Sequence, residues 1–307
     1  MFTFAHLSDP HLAIVARPGL GSLMSKRLLG YLSWRARRQA IHESGVLAAL
    51  TAAIKQAKTD HVVITGDLTN ISLPGEFDEA RRWLEAFGPP DRVTVIPGNH
   101  DAYVGVPWAR SLGLWTDYMR GDVGLLTSPS DFPSVRVRGP VAFIGVSSAH
   151  PSAPHLAVGS LGRPQIDVLE QHLGELGRSG KFRVVLIHHP PVAGTVSPRK
   201  SLLDAEPFAA ALARSGAELV LHGHMHRFSQ KELAGPAGAI PVIGVASASA
   251  RSQKGHGEPA QYHLYRIDRG SAGWRLAVGI HALDETSLAF RPKAEFEIGV
   301  PIAPGHA

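Results

Sequence analysis

Cysteine is absent from the 307-residue chain, which excludes disulfides, thiolate metal ligands, iron–sulfur clusters and a cysteine nucleophile. Any metal must be held by nitrogen and oxygen. No apolar run approaches the roughly 18–20 residues needed to span a bilayer, and the opening Met1-Phe2-Thr3-Phe4-Ala5-His6 lacks the basic and apolar regions of a secretion signal, so the expected location is the cytoplasm. No block of five or six like charges occurs and the formal net charge is only +5. Such an excess does not demand nucleic acid, although it suits a small anionic substrate.

What is present is a 44% hydrophobic fraction with 32 Gly and 23 Pro, enough apolar material for a large core joined by many short loops. Short β-branched runs at Thr3 to Leu7, Val62 to Thr65, Val93 to Ile96, Val141 to Val146, Val184 to Ile187 and Leu219 to Leu221 read as buried strands. Between them, Ser44 to Lys58, Gly75 to Phe87, Arg163 to Arg178 and Leu203 to Ser215 have helical spacing. This alternation implies an α/β layer architecture. Ile240 to Ala246, Gln261 to Ile267 and Trp274 to Ala282 read as strands of a second, more antiparallel sheet completing a sandwich. We expect one catalytic domain over residues 1–283, and over 284–307, with three prolines and few apolar positions, a surface-draped or partly disordered tail.

Histidine occurs 17 times, and its placement matters more than its number. Asp9 and His11 follow the first strand, Asp67 the second, and Asn99, His100 and Asp101 the third; His188 and His189 end a later strand, and His224 and His226 close the set. Each group lies just past the carboxyl end of a strand, where open α/β sheets place their binding crevices. Carboxylate, imidazole and carboxamide donors together suit a pair of divalent cations, and two neighbouring dications need a shared anionic group, for which Asp67 is the natural bridge. In an extended segment, Asp9-Pro10-His11 and His224-Met225-His226 would each direct two side chains to one face. Gly66, Gly98 and Gly223 adjoin these residues and allow sharp strand-to-loop turns. His189 and His222 read as packing or supporting residues, His150 as a residue near the cleft, and His6, His61, His155 and His172 as surface or hydrogen-bonded histidines.

Asp9-x-His11, Gly66-Asp67, Gly98-Asn99-His100-Asp101, His188 and Gly223-His224-x-His226 occur in an order that resembles the five-block signature of the calcineurin-like metallophosphoesterase superfamily. The resemblance covers residues 9–226. It implies a four-layer α/β/β/α sandwich and two divalent metal ions, with Mn, Fe or Zn as the family expectation. One ion would take Asp9, His11, Asp67 and His226, the other Asp67, Asn99, His188 and His224. His100 would contact the scissile phosphate and stabilise or protonate the leaving oxygen; Asp101 would orient His100 or raise its pKa. The implied reaction is in-line attack by metal-bound hydroxide on a small phosphodiester. The layout is similar, less specifically, to class III cyclic nucleotide phosphodiesterases, and a homodimer is a family expectation. The alternatives are a pyrophosphatase or diesterase acting on a lipid- or nucleotide-linked substrate, or a nuclease; the last lacks an aromatic and basic stacking platform beyond the early segment described next.

Residues 14–42 carry Arg17, Lys26, Arg27, Arg35, Arg37 and Arg38 with no acidic residue, interleaved with apolar side chains. Leu23 to Trp34 fits a short amphipathic helix, expected at the rim of the cleft. A flap for an anionic substrate, a patch that approaches acidic lipid and a packing or dimer-contact element are all compatible with this composition.

Overall fold

A computed structural model describes residues 1–12, 26–33, 42–252, 258–270 and 273–301. Most of the basic segment expected over 14–42 lies outside the described residues. The elements, in chain order, are β1 (Phe2–Leu7), α1 (Lys26–Ser33), α2 (Ser44–Ala57), β2 (His61–Ile64), α3 (Pro74–Phe87), β3 (Val93–Val95), α4 (Thr116–Met119), β4 (Ser134–Arg138) and β5 (Val141–Gly145). They continue with α5 (Arg163–Arg178), β6 (Phe182–Leu186), α6 (Ala205–Ser215), β7 (Leu219–His222), β8 (Ser229–Gly235), β9 (Gly238–Gly244), β10 (Gln261–Gly270), β11 (Gly273–Asp284) and β12 (Ala289–Val300).

The period-2 alternation of side chains on the central strands explains the layering. On β6, Phe182, Val184 and Leu186 join one hydrophobic cluster, while Val185 and the following Ile187 join another. On β7, Leu219 and Leu221 belong to the first and Val220 to the second. The first cluster lies between two sheets, where Phe4 meets Phe143 edge-on at 5.2 Å and stacks on Tyr265 at 4.6 Å; it continues to Leu50 and Ile54 of α2 and Phe77 and Leu84 of α3. The second cluster is the outer face of the other sheet, covered by Leu169 and Leu173 of α5 and Phe208 and Leu212 of α6. Helices, sheet, sheet and helices therefore form the α/β/β/α sandwich.

Among the described residues each sheet has six strands, in the orders β12-β11-β10-β1-β2-β3 and β4-β5-β6-β7-β9-β8. The parallel run β1-β2-β3 forms one half of the first sheet and β5-β6-β7-β9 the middle of the second, and their carboxyl ends supply the loops of the site. Two expectations are corrected here. The late strands do not make a separate antiparallel sheet: β9 joins the second sheet in parallel with β7, and β10 to β12 extend the first sheet from β1. Nor do residues 284–301 form a draped tail, because Ala289–Val300 pairs along the length of β11, with Phe290, Phe296 and Ile298 packed against the core; residues 302–307 of the expected tail lie outside the described residues.

Candidate metal centre

Strand β1 ends at Leu7, and the parallel pairing with β2 is continued past both strand ends by backbone bonds. The Asp9 N–H donates to the Gly66 carbonyl at 3.0 Å, and the His11 N–H to the Asp67 carbonyl at 3.0 Å. The loops carrying Asp9, His11 and Asp67 thus run side by side. They are not extended as the sequence suggested. Asp9, His11, Asp67, His224 and His226 have φ of 52°, 39°, 59°, 67° and 53°. This left-handed backbone costs an L-residue about 1–2 kcal/mol, and such strain concentrates at functional sites. Close approach, rather than backbone freedom, explains two of the glycines: a Cβ at Gly98 would overlap Asp67 Oδ1 and its amide, and one at Gly223 would overlap Ser8 Oγ.

The seven residues expected to hold metal converge into two clusters that share Asp67. In the first, His11 Nε2 lies 3.3 Å from His226 Nε2, 3.8 Å from Asp67 Oδ2 and 4.0 Å from Asp9 Oδ1, and His226 Nε2 is 3.2 Å from Asp9 Oδ1. In the second, His188 Nε2 lies 3.4 Å from Asp67 Oδ2 and 3.1 Å from Asn99 Oδ1, and His224 is grouped with Asp67 and His188 within 4.8 Å. Donors about 2.1 Å from a common ion are separated by about 3.0–4.2 Å, so these spacings fit cations. The far ring nitrogens are held by carbonyls: His11 Nδ1 donates to Thr69 at 3.2 Å and His188 Nδ1 to Thr65 at 2.7 Å, which turns each Nε2 toward the cluster. His224 Nε2 is buried with no hydrogen-bond partner among the described residues, an arrangement that an ion would satisfy.

The electrostatics agree with this fit. Burial drives His11, His189 and His224 well below the usual histidine range, keeping them neutral and able to donate lone pairs. Burial also opposes charge on His188, but the Asp67 and Asp9 carboxylates outweigh it and raise His188 to about 9. Burial acts against charge on the carboxylates as well, yet His226 holds Asp9 well below its ordinary value, and His188 with His100 lowers Asp67. Metal binding would thus displace the His188 proton that balances the buried carboxylates.

His100 is buried and lies in a group with His11 and Asp67; its N–H donates to Asp67 Oδ1 at 2.7 Å, its Nδ1 contacts the Asn70 carbonyl, and its ring stacks on Tyr103 at 5.6 Å. Asp101 does not take the expected part of orienting the His100 ring. Its carboxylate accepts backbone N–H bonds from Asp67 (2.8 Å), Thr69 (2.8 Å) and Gly98 (2.9 Å), tying together the loops after β2 and β3. Burial, followed by Asp67, pushes Asp101 up to about 7, while the Gly98 and Thr69 donors favour its ionised form.

His189 bonds Ser148 Oγ at 2.8 Å with its ring 4.6 Å from His224. His222 is buried beside Ser229 Oγ at 3.3 Å, and burial lowers it to about 4. His150 bonds the Pro151 carbonyl and joins neither cluster. Of the expected amphipathic helix, the described part is Lys26–Ser33. Lys26 donates to the Ser152 and Leu156 carbonyls and lies 4.4 Å above the Tyr103 ring, and Arg27 donates to the carbonyls of Ile71 and Ser72. Helix α1 therefore straps the loop after β2 to the loop after β5 beside His100. Sequence reasoning missed His42, which is buried with its ring 4.7 Å from that of His11 and 5.8 Å from that of His226. A lone histidine between Ile41 and Glu43 carries no local signal.

A family model described as calcineurin-like phosphoesterase matches residues 2–228. A Synechococcus sp. protein named probable cyclic nucleotide phosphodiesterase is 28% identical over 183 residues, covering 59% of this chain and 63% of its own length. Among solved structures, a dimetal phosphatase from Danio rerio aligns with a TM-score of 0.62 at 13% identity, over 97% of this chain and 99% of its own. A purple acid phosphatase from yellow lupin aligns at 0.59 and 10% identity, over 97% of this chain and 53% of its own. These two likenesses are likenesses of fold.

Proposed function

The chain belongs to the calcineurin-like phosphoesterase family, the family of metal-dependent phosphoric ester hydrolases, and from that premise we propose that it is a dinuclear phosphodiesterase acting on a small anionic phosphodiester, with cyclic nucleotides as the leading substrate class. One observation carries the dinuclear reading: a single carboxylate oxygen, Asp67 Oδ2, lies 3.8 Å from His11 Nε2 and 3.4 Å from His188 Nε2, one ring in each cluster. Asp9, His11, Asp67 and His226 would hold one ion, and Asp67, Asn99, His188 and His224 the other. When bound, the pair would activate water and offset charge on the phosphoryl oxygens.

The chain's own residues supply the rest. His100, its Nδ1–H held by the Asn70 carbonyl and its ring stacked on Tyr103, would, when Nε2 is protonated as well, donate a proton or hydrogen bond from Nε2 to the leaving oxygen. A cavity of about 390 Å³ beside His224 is lined by Lys200 and Arg227, whose charges suit an anionic substrate. The name of the Synechococcus relative supports the cyclic nucleotide choice. A second reading, hydrolysis of a nucleotide-linked lipid, is favoured by Leu28 and Leu32 of α1, one turn apart and 44% and 54% exposed.

The test is hydrolysis of 3′,5′-cyclic AMP, bis-p-nitrophenyl phosphate and a nucleotide-linked lipid by Mn-loaded protein, with and without chelator, beside Asp67→Ala. Chelator-sensitive cleavage of cyclic AMP above about 10⁴ M⁻¹s⁻¹, with loss of both activity and bound metal in Asp67→Ala, is expected. Turnover of the lipid conjugate alone would replace the first reading by the second. Full metal occupancy in Asp67→Ala would overturn the shared-carboxylate assignment.

A further inference from the structure

We propose that His42 is a fifth protein ligand of the metal ion on the Asp9 side, forming a three-imidazole set with His11 and His226. This rests on the two-cation reading above and extends it to a residue outside the five sequence blocks. A ring nitrogen of His42 lies within 4.8 Å of the ligand nitrogens of His11 and His226. The ring spacings from His42, 4.7 Å to His11 and 5.8 Å to His226, bracket the 5.1 Å that separates His11 from His226 and His188 from His224. His42 is thus placed toward its neighbours as the candidate ligands are placed toward one another.

The support behind His42 is that of a fixed ligand. Its Nδ1 lies 2.7 Å from Ser249 Oγ, its backbone forms an antiparallel bridge with Ala250, and the next N–H, that of Glu43, donates to the Ser249 carbonyl at 3.1 Å. Two residues earlier, Ser247 bridges Ser8 and donates from its Oγ to the Asp9 carbonyl at 2.7 Å. One short segment, residues 247–250, therefore positions both Asp9 and His42. As a packing solution the cluster is poor: the buried imidazoles of His11 and His42, beside the half-buried His226, lose water and gain little as apolar filling. A hydrogen-bonded far nitrogen, as Nδ1 of His42 has in Ser249, is the usual support of a metal-bound histidine.

The consequence is asymmetry. The Asp9 side would offer Asp9, His11, His42, Asp67 and His226, whereas the other side would offer Asp67, Asn99, His188 and His224. The imidazole-rich side should hold its ion more tightly and favour zinc, cobalt or nickel over magnesium or manganese.

Metal-free full-length protein titrated with Co²⁺, followed by visible absorption and by metal-to-protein ratio, tests this. Wild type is expected to bind two ions with different affinities. His42→Gln should weaken the tighter site by at least about 10-fold, the lower range for losing even a supporting group, and change the Co²⁺ spectrum, while His42→Asp, which restores an oxygen donor, should recover part of the affinity. Unchanged affinities and spectrum in His42→Gln overturn the proposal. Should that variant not fold, long-range ¹H–¹⁵N correlation of histidine rings in Zn-loaded wild type reads the same point: coordination shifts the second ring nitrogen of His42, and an unshifted nitrogen refutes ligation. Failure of wild type to bind any ion would instead remove the two-cation reading itself, before any His42 variant is made.

Discussion

Asp101 shows how a residue inside a signature can serve the site without touching what the site holds. One of its oxygens accepts the N–H groups of both Asp67 and Gly98, and the other accepts that of Thr69. An Asn side chain has only one acceptor oxygen, so Asp101→Asn leaves at least one buried donor unpaired, a loss of about 1–3 kcal/mol. The loop carrying Asp67 would then lose its register with the loop carrying Asn99. We expect lower stability and metal retention weakened by about 10- to 100-fold, the range for supporting residues, measured by urea denaturation and metal titration. Reduced turnover with intact metal affinity would return Asp101 to the role of orienting His100. At this scale the order of the five blocks told much, because each chemically distinctive residue follows a strand and parallel strands bring their carboxyl ends together. It could not tell that Asp9, His11, His224 and His226 leave the strands through left-handed backbone, nor that His42 joins them, since that contact depends on the pairing of His42 with Ala250.

Among the elements, the four long helices read from hydrophobic spacing correspond to α2, α3, α5 and α6 within about two residues at each end. The last strand was illegible for two specific reasons. Pro292 sits inside it, and proline in a run ordinarily argues against a central strand; here β12 is an edge strand, where proline is tolerated. A bulge then shifts the register, so that Ile280 faces Ala294 while His281 faces Pro292, which breaks the alternation in that stretch. Beyond the bulge, Phe296, Ile298 and Val300 resume the inward period and pack on the core, and before it Phe290 meets Tyr262 at 5.6 Å. Removing residues 288–307 should therefore withdraw four partly or fully buried apolar side chains. At about 1–1.5 kcal/mol for each, below the value for complete burial, the expected destabilisation is about 4–6 kcal/mol, read as a lower midpoint in urea. A draped tail would leave the midpoint unchanged.

The whole molecule carries an unusual load of buried histidine between its sheets and at the site, and this makes its stability depend on acid. His61 bonds Thr94 Oγ1 at 2.7 Å and lies against Phe143 of the opposite sheet at 4.8 Å; burial, then the neighbouring Arg138, Arg136 and Arg92, lower it to about 3. His263 is lowered to about 3 by burial, then by His281 and Lys293. Above the unfolded value of about 6.5 neither folded nor unfolded chain protonates these rings, and they make no pH-dependent contribution. Below it the unfolded chain takes up the protons first. Each ring then removes about 1.4 kcal/mol of stability per pH unit until the folded value near 3 is reached. Two such rings remove about 3 kcal/mol per unit, a large part of the roughly 5–15 kcal/mol that a domain possesses. Carboxylates and the metal cluster titrate in the same range, so the discriminating measurement is a difference. Urea denaturation of chelated wild type and His61→Gln at pH 6.5, 5.5 and 4.5 should show stability falling about 1.4 kcal/mol per unit less steeply in the variant, because Gln can keep the Thr94 bond without a titrating group. Parallel slopes would mean that His61 does not remain neutral between the sheets, and that the acid sensitivity of the fold arises elsewhere.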